Sequence, residues 1–105
     1  MTYDYVRAVQ EYVEQHLSEM ITVHDIAEHV GLNPSYLNTH FRAQTGFSIK
    51  SFIHRLKTEE AKRLLRETTY PISEIGTMLG YFDQSHFSRV FREYTGTTPK
   101  QYRMR

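Results

Sequence analysis

The chain contains no cysteine, only three prolines and five glycines among its 105 residues. Without cysteine there is no disulfide framework and no thiol chemistry, which fits a reducing, cytoplasmic setting. No apolar run reaches the roughly 18 residues that a membrane-spanning helix requires. The first residues, Met1-Thr2-Tyr3-Asp4, lack the basic start and apolar stretch of a signal peptide. The sequence therefore argues against a disulfide framework, a membrane-spanning helix and a signal peptide in these first residues.

Patterns for catalysis and metal binding are also missing. There is no Gly-rich phosphate loop and no Gly-x-Ser-x-Gly nucleophile elbow. His24 and His29 lie five positions apart, roughly 140° apart around a helix, whereas a helical zinc pair needs a spacing of four. No third ligand is suggested by spacing. The sequence predicts no enzymatic activity, no metal site and no cofactor.

Charge is unevenly distributed along the chain. The total is only +1, but residues 1–30 carry one basic residue, Arg7, against six acidic residues. Residues 31–105 carry twelve basic residues against six acidic ones. Such asymmetry arises by chance in many small domains, yet it is also what a protein with one basic face for phosphates would show.

The most informative feature that is present is an internal repeat. Residues 33–52 match residues 83–102 at an offset of fifty. The identical pairs are Ser35/Ser85, Phe41/Phe91, Arg42/Arg92, Thr45/Thr95, Gly46/Gly96 and Lys50/Lys100. At an offset of forty-nine, Ile26-Ala27 matches Ile75-Gly76 and Gly31 matches Gly80. A repeat of this length indicates a duplicated supersecondary unit.

Apolar periodicity and capping residues predict an all-α fold of seven helices. The predicted helices run over about 4–18, from Thr22 to Gly31, from Asn33-Pro34 to Gly46, from Ser48 to about Arg66, from Ile72 to Gly80, from Asp83 to Gly96, and from Thr98-Pro99 to about Arg103. Gly76 stands where the first copy has Ala27, and close packing against the sixth helix is one reason for a glycine there. Phe41, Phe52, Phe87 and Phe91 are expected in the core.

Each copy reads as a short helix, a Gly-containing turn and a second helix. This is the pattern of a helix-turn-helix, whose second helix enters a DNA major groove. We expect a first subdomain at 1–47, a linker helix at 48–67 and a second subdomain at 68–105. A linker of about 19 residues is roughly 28 Å long, near the roughly 34 Å between successive major grooves. One chain could then read two grooves.

The longest motif lies in the second copy. It reads Gly80-Tyr81-Phe82-Asp83-Gln84-Ser85-His86-Phe87-Ser88-Arg89-Val90-Phe91-Arg92, then Thr95-Gly96-Thr97-Thr98-Pro99-Lys100-Gln101-Tyr102-Arg103. Matching pieces elsewhere are Ile26-Ala27, Gly31-Leu32-Asn33-Pro34-Ser35-Tyr36-Leu37, Phe41-Arg42, Thr45-Gly46 and Ala61-Lys62-Arg63-Leu64-Leu65. Over essentially the whole chain, these residues resemble the AraC/XylS family of transcription regulators. The resemblance implies a seven-helix domain with two helix-turn-helix units that binds double-stranded promoter DNA and activates transcription. RNA polymerase and an N-terminal sensor or receiver domain are the other implied partners.

The resemblance also implies which residues contact DNA. In the first unit they are Ser35, Asn38, Thr39 and Arg42, and in the second they are Gln84, Ser85, His86, Arg89 and Arg92. Helical spacing agrees for most of them, because Leu37 and Phe41 pointing inward leave the first set outside. For His86 the alternative is packing, and for Arg42 and Arg92 it is plain solvation. Lys50 and Lys100 recur just inside capped helix starts, where a cation is disfavoured by the helix dipole, so they are candidate phosphate contacts.

Two other sets of charges have competing interpretations. The basic residues of the fourth helix are expected to form a solvated face; they are Arg55, Lys57, Lys62, Arg63 and Arg66. The acidic first helix, with Glu11, Glu14 and Glu19 near it, could face a protein partner. The alternative function is therefore a helical protein-interaction module that keeps this scaffold with weak or no DNA binding.

Overall fold

The computed structural model describes residues 4–105, and residues 1–3 of the expected first subdomain lie outside that range. Within the described residues there are seven α-helices and no strand. They are α1 (Tyr5–Gln15), α2 (Val23–Val30), α3 (Pro34–Thr45), α4 (Ile49–Glu67), α5 (Ile72–Met78), α6 (Gln84–Thr95) and α7 (Pro99–Arg103). The predicted all-α fold is confirmed. No helix among residues 4–105 has the length and apolar character to cross a bilayer.

The chain forms two compact units that share helix α4. The first unit runs to His16 and then covers Ile21–Ile53, while the second covers Leu17–Met20 and His54–Arg105. Each unit contains one copy of the repeat, with α2 and α3 in the first and α5 and α6 in the second.

The core of the first unit is built from α1, α2, α3 and the start of α4. Its fully buried apolar side chains are Val9, Val13, Ile26, Ala27, Leu37, Phe41 and Ile49. Phe41 meets Phe52 edge-on, with ring centroids 5.2 Å apart. Helix α2 begins at a reciprocal capping box, in which Thr22 and Asp25 each accept the other's backbone N–H. The hydrogen bond from the Thr22 backbone N–H lowers the pKa of Asp25.

The core of the second unit is more aromatic. Its buried residues are Ala61, Leu64, Leu65, Ile75, Leu79, Tyr81, Phe87, Val90 and Phe91. Phe91 lies between two further rings, Phe87 at 5.9 Å and Tyr102 at 5.7 Å between centroids. Of the four phenylalanines expected in the core from sequence, Phe41, Phe87 and Phe91 are buried, whereas Phe52 is half-buried.

Helices α3 and α6, which are the predicted recognition helices of the two copies, end in the same way. Gly46 and Gly96 follow them with φ of +82° and +83°, the left-handed conformation that glycine adopts without strain. Before each glycine a threonine hydroxyl, of Thr45 or Thr95, donates to the carbonyl four residues back, at 2.9 and 2.7 Å. The duplication seen in sequence is therefore also a duplication of local geometry.

Gly76 in α5 lies against α6. A Cβ on Gly76 would come within 3.0 Å of the Cβ of Phe87 and 3.2 Å of its Cγ. The expectation that close packing accounts for this helical glycine is confirmed. At the following turn, a Cβ on Gly80 would lie 2.4 Å from the backbone carbonyl of Glu19, so the chain needs glycine there for space as well as for its positive φ.

Lys57 was expected on a solvated face, and this prediction is wrong. The residue is buried, with 3% of its surface exposed. Its Nζ donates to the carbonyls of Leu17, at 3.1 Å, and of Glu19 and Leu79, and lies 5.5 Å from the centre of the Tyr81 ring. Burial lowers the pKa of Lys57 to about 8, while the charge of Glu19 acts in the opposite direction.

Helix α1 stops at Gln15 rather than near residue 18, and the same contacts hold the segment that follows it. In a longer helix the carbonyls of the following residues would be turned along the helix axis. Instead, the carbonyls of Leu17 and Glu19 accept hydrogen bonds from Lys57. A tertiary contact has taken precedence over local periodicity.

Candidate nucleic-acid interface

Both recognition helices begin at a side-chain cap. Asn33 Oδ1 accepts from the backbone N–H of Ser35 at 2.9 Å and of Tyr36 at 3.3 Å. Asp83 Oδ1 accepts from the backbone N–H of His86 at 2.8 Å. Such caps satisfy donors that the first turn of a helix leaves without partners. They fix the N-terminal turn of each helix, the part that a helix-turn-helix presents to base edges.

On helix α3, three of the four predicted DNA-contacting residues lie on the surface. Ser35, Thr39 and Arg42 are exposed. Asn38 differs from the expected outward position, because it is half-buried and its Oδ1 accepts from the backbone N–H of Ile49 at 2.9 Å. This bond ties α3 to the first turn of α4. Asn38 therefore has a structural role that the sequence analysis did not foresee.

On helix α6, four of the five predicted residues are exposed; they are Gln84, Ser85, Arg89 and Arg92. His86 is half-buried and packs edge-on against Tyr81, with ring centroids 5.2 Å apart and planes at 82°. The packing alternative for His86 thus has direct structural support. The opposite side of the helix is buried through Phe87, Val90 and Phe91.

Tyr81 is the centre of the polar contacts behind α6. Its hydroxyl lies 3.0 Å from His54 Nδ1. Its ring contacts the ammonium group of Lys57 and, edge-on, the imidazole ring of His86. Burial raises the pKa of Tyr81, so its phenol stays neutral to a higher pH than that of an ordinary tyrosine. This neutral, fixed ring supports the start of the second recognition helix.

The basic residues fall into two groups by their contacts. Several serve the fold: Lys62 pairs with Glu59 at 3.1 Å, and Arg63 pairs with Glu60 and, at 3.1 Å, with Glu67. Arg103 donates to the carbonyls of Leu65, Tyr70 and Thr68 at 3.2, 2.6 and 3.3 Å, beside the end of α4.

The second group consists of the predicted contact residues. Arg42, Arg89, Arg92, Lys50 and Lys100 are all exposed. Within residues 4–105 none of these five forms an ion pair. Their charges are therefore available to an external anion. Only part of the basic excess of residues 31–105 is available at the surface, because Lys57 and Arg103 donate to backbone carbonyls of the fold.

One exposed residue beside α6 was not among the predicted contacts. Phe82 immediately precedes the capping Asp83 and has 83% of its surface exposed. A signal for it existed in the sequence, because the repeat offset changes from forty-nine at Gly31/Gly80 to fifty at Asn33/Asp83. One extra residue therefore stands in the second turn.

Comparison with known proteins agrees with this geometry. A family model described as a helix-turn-helix domain matches residues 26–105. The arabinose operon regulatory protein of Escherichia coli (strain K12) is 38% identical over 99 residues, which are 93% of this chain and 34% of that protein. The chain spans between 13% and 38% of the length of the curated relatives that it matches.

Solved structures give the same result. The C-terminal domain of AraT, a response regulator from Geobacillus stearothermophilus, superposes with a TM-score of 0.92 at 32% identity, covering 97% of this chain and 85% of that one. The xylose-binding transcription activator xylR superposes with a TM-score of 0.82 at 36% identity, covering 99% of this chain and 27% of that one. The resemblance predicted from sequence is confirmed, and the chain belongs to the AraC family as a helix-turn-helix DNA-binding domain of transcription regulators.

Proposed function

We propose that this chain binds double-stranded promoter DNA in a sequence-specific manner, with α3 and α6 entering adjacent major grooves, and that it activates transcription. The observation that carries the proposal is the matched pair of recognition helices. Each has a capped N-terminal turn, a buried apolar side and an exposed side with hydroxyl and arginine side chains. These groups are the types that read base edges and hold phosphates.

The roles of individual residues follow from their chemistry and exposure. In this proposal Arg89 reads guanine and Gln84 reads adenine, while Ser35, Thr39 and Ser85 suit short hydrogen bonds to base edges or phosphates. Asn38 and His86 act mainly by positioning, because their side chains contact Ile49 and Tyr81. The bidentate contact of an asparagine with adenine uses its amide oxygen, which in Asn38 already accepts a backbone hydrogen bond.

Phosphate contacts supply much of the affinity in this proposal. Arg42, Arg92, Lys50 and Lys100 are exposed cations without an acidic partner among residues 4–105. Neutralising four phosphates on duplex DNA gives a slope of about −4 for log K against log salt concentration. Binding should therefore weaken steeply as salt is raised.

The wider biological setting is part of the same proposal. In this proposal the chain is divided at 1–47, 48–67 and 68–105, with the middle segment as the linker helix between two reading units. Activation is supported by the name of the xylR relative, a transcription activator. RNA polymerase would be the target of activation, in the cytoplasm. An N-terminal sensor or receiver domain is supported by AraT, a response regulator matched through its C-terminal domain.

Selection of bound sites from a random duplex library at near-physiological salt tests the proposal. Two enriched blocks about one helical turn apart are the expected result, with Arg42→Ala and Arg92→Ala variants losing affinity and part of the salt slope. A single enriched block would contradict reading by both units. An unenriched library with no salt-sensitive binding would favour the protein-interaction module instead.

A further inference from the structure

Phe82 is the most exposed of the large apolar side chains in residues 4–105. Its exposed fraction is 83%, against 76% for Met104 and 66% for Met20. Met104 lies after the last helix and Met20 in an interhelical loop, whereas Phe82 lies one residue before the N-cap of a recognition helix. A phenylalanine exposed at such a place calls for a physical reason.

The repeat shows that Phe82 is an insertion. In the first unit, the backbone N–H of Leu32 donates to Ala27 at 2.9 Å, and in the second, that of Tyr81 donates to Gly76 at 3.0 Å. Leu32 and Tyr81 are thus equivalent. In the first unit the N-cap Asn33 follows directly after Leu32, whereas in the second Phe82 comes before Asp83. Phe82 therefore has no counterpart in the first unit.

The insertion contributes little to the fold. The turn of the first unit closes without such a residue, and the buried aromatic position of the second turn is occupied by Tyr81, at 8% exposure. Leaving a phenyl ring in water forgoes the stabilisation that its burial would give. The position of Phe82 at the N-terminal end of α6 therefore suggests a role in binding rather than in folding.

We propose that Phe82 is a specificity-determining residue that packs against the 5-methyl group of a thymine in the groove entered by α6. This inference rests on the proposed function. Residues at the N-terminal end of a recognition helix lie closest to base edges. The thymine methyl is the apolar feature of the major groove, and phenylalanine is among the side chains that contact it.

The neighbouring residues favour DNA over a protein partner as the occupant. Gln84 and Ser85 follow within three positions and are exposed, so a macromolecule reading them would also cover Phe82. The carboxylate of Asp83 is committed to its cap at 2.8 Å from His86 N. The Asp83 carboxylate, which directly follows Phe82, is therefore held within the helix cap.

The test uses the full chain and the duplex obtained by site selection. Each thymine is replaced in turn by deoxyuridine, which removes only the 5-methyl group. For the wild-type chain we expect one thymine in the block read by α6 to lose about fourfold in affinity, the worth of one buried methyl group. In Phe82→Ala that penalty should disappear, while the effects at other thymines stay. Met104→Ala, which truncates another exposed apolar residue, should behave as the wild type.

The outcomes separate this inference from the proposed function. A wild-type chain that enriches no site overturns the proposed function and the inference with it. A wild-type chain that enriches a site, but whose deoxyuridine profile is unchanged in Phe82→Ala, overturns the inference alone and leaves a protein partner as the occupant. Equal weakening of all sequences in Phe82→Ala, at unchanged thermal stability, would instead assign the ring to the sugar-phosphate backbone and also contradict the methyl contact.

Discussion

Raising the pH should stabilise the wild-type chain relative to a Lys57→Met variant. Lys57 is buried, and burial lowers its pKa from the ordinary 10.5 to about 8. Methionine keeps a long unbranched side chain and removes the titrating amine. The unfolded chain retains an ordinary lysine pKa, so the two states of the wild type differ in bound protons.

The sign follows from that difference in protons. Between about pH 8 and 10.5 the unfolded wild type holds a proton that the folded wild type has released, so its free energy of unfolding rises with pH in this window. Below pH 8 both states are protonated and the contribution is constant. For these two pKa values the gain over the variant is about 2 kcal/mol between pH 7 and pH 9.5.

Urea unfolding followed by helical circular dichroism measures this at the two pH values. The free energy of unfolding of the variant is lower by an amount that does not depend on pH, because the carbonyls of Leu17, Glu19 and Leu79 lose their shared donor. A difference between wild type and variant that does not change with pH would refute the reasoning. It would mean that the three carbonyls and the Tyr81 ring hold the ammonium charged.

Substitutions at three further positions test the fold and the interface. Gly76→Ala should lower the free energy of unfolding by about 1 kcal/mol, although alanine is the better helix former, because its Cβ would lie 3.0 Å from Phe87 Cβ. Asn38→Ala should cost about 1 kcal/mol in the same urea assay, since the Ile49 N–H loses its acceptor, and Asn38→Asp should recover most of it. Arg89→Ala should weaken binding to the selected site by about 1–3 kcal/mol and relax one base position in a repeated selection.

Each of these has a control or a contradicting result. Ala27→Gly, at the equivalent place in the first unit, should cost about 1 kcal/mol through helix propensity alone, and a stabilising Gly76→Ala would show that α5 yields to the added methyl. An Asn38→Asp variant as unstable as Asn38→Ala would rule out the acceptor role. Uniform weakening on all sequences in Arg89→Ala would identify a phosphate contact.

Much of this structure could be predicted from local signals. Asn33-Pro34 and Thr98-Pro99 each combine a capping side chain with a first-turn proline, and helices begin at both places. The close approach of α5 and α6 was predictable from Gly76, because a glycine inside a helix is costly without a packing reason. These features depend on neighbours in sequence or on the repeat, both of which are visible in one chain.

The features that could not be predicted depend on distant backbone atoms. Lys57 looks like any surface lysine of a helix, and only the fold brings three carbonyls to its Nζ. Asn38 looks like a base reader until Ile49 N–H, eleven residues away, is found on its amide oxygen. Apart from the missing N–H of proline, backbone donors and acceptors are the same in every residue type. A sequence pattern therefore does not predict which backbone group a side chain will meet.

The contact of Asn38 with Ile49 also distinguishes the two copies of the repeat. At the offset of fifty, Asn38 corresponds to Ser88 and Ile49 to Pro99. Proline has no backbone N–H, so Pro99 cannot donate to Ser88 the hydrogen bond that Ile49 donates to Asn38. In the first recognition helix, Asn38 is thus used in a structural hydrogen bond, and Ser35 and Thr39 on the exposed face have small side chains. The second uses His86 in packing against Tyr81, but it keeps Gln84, Ser85 and Arg89 exposed and gains Phe82. We therefore propose that α6 carries the larger share of base discrimination, with α3 contributing more to position on the duplex.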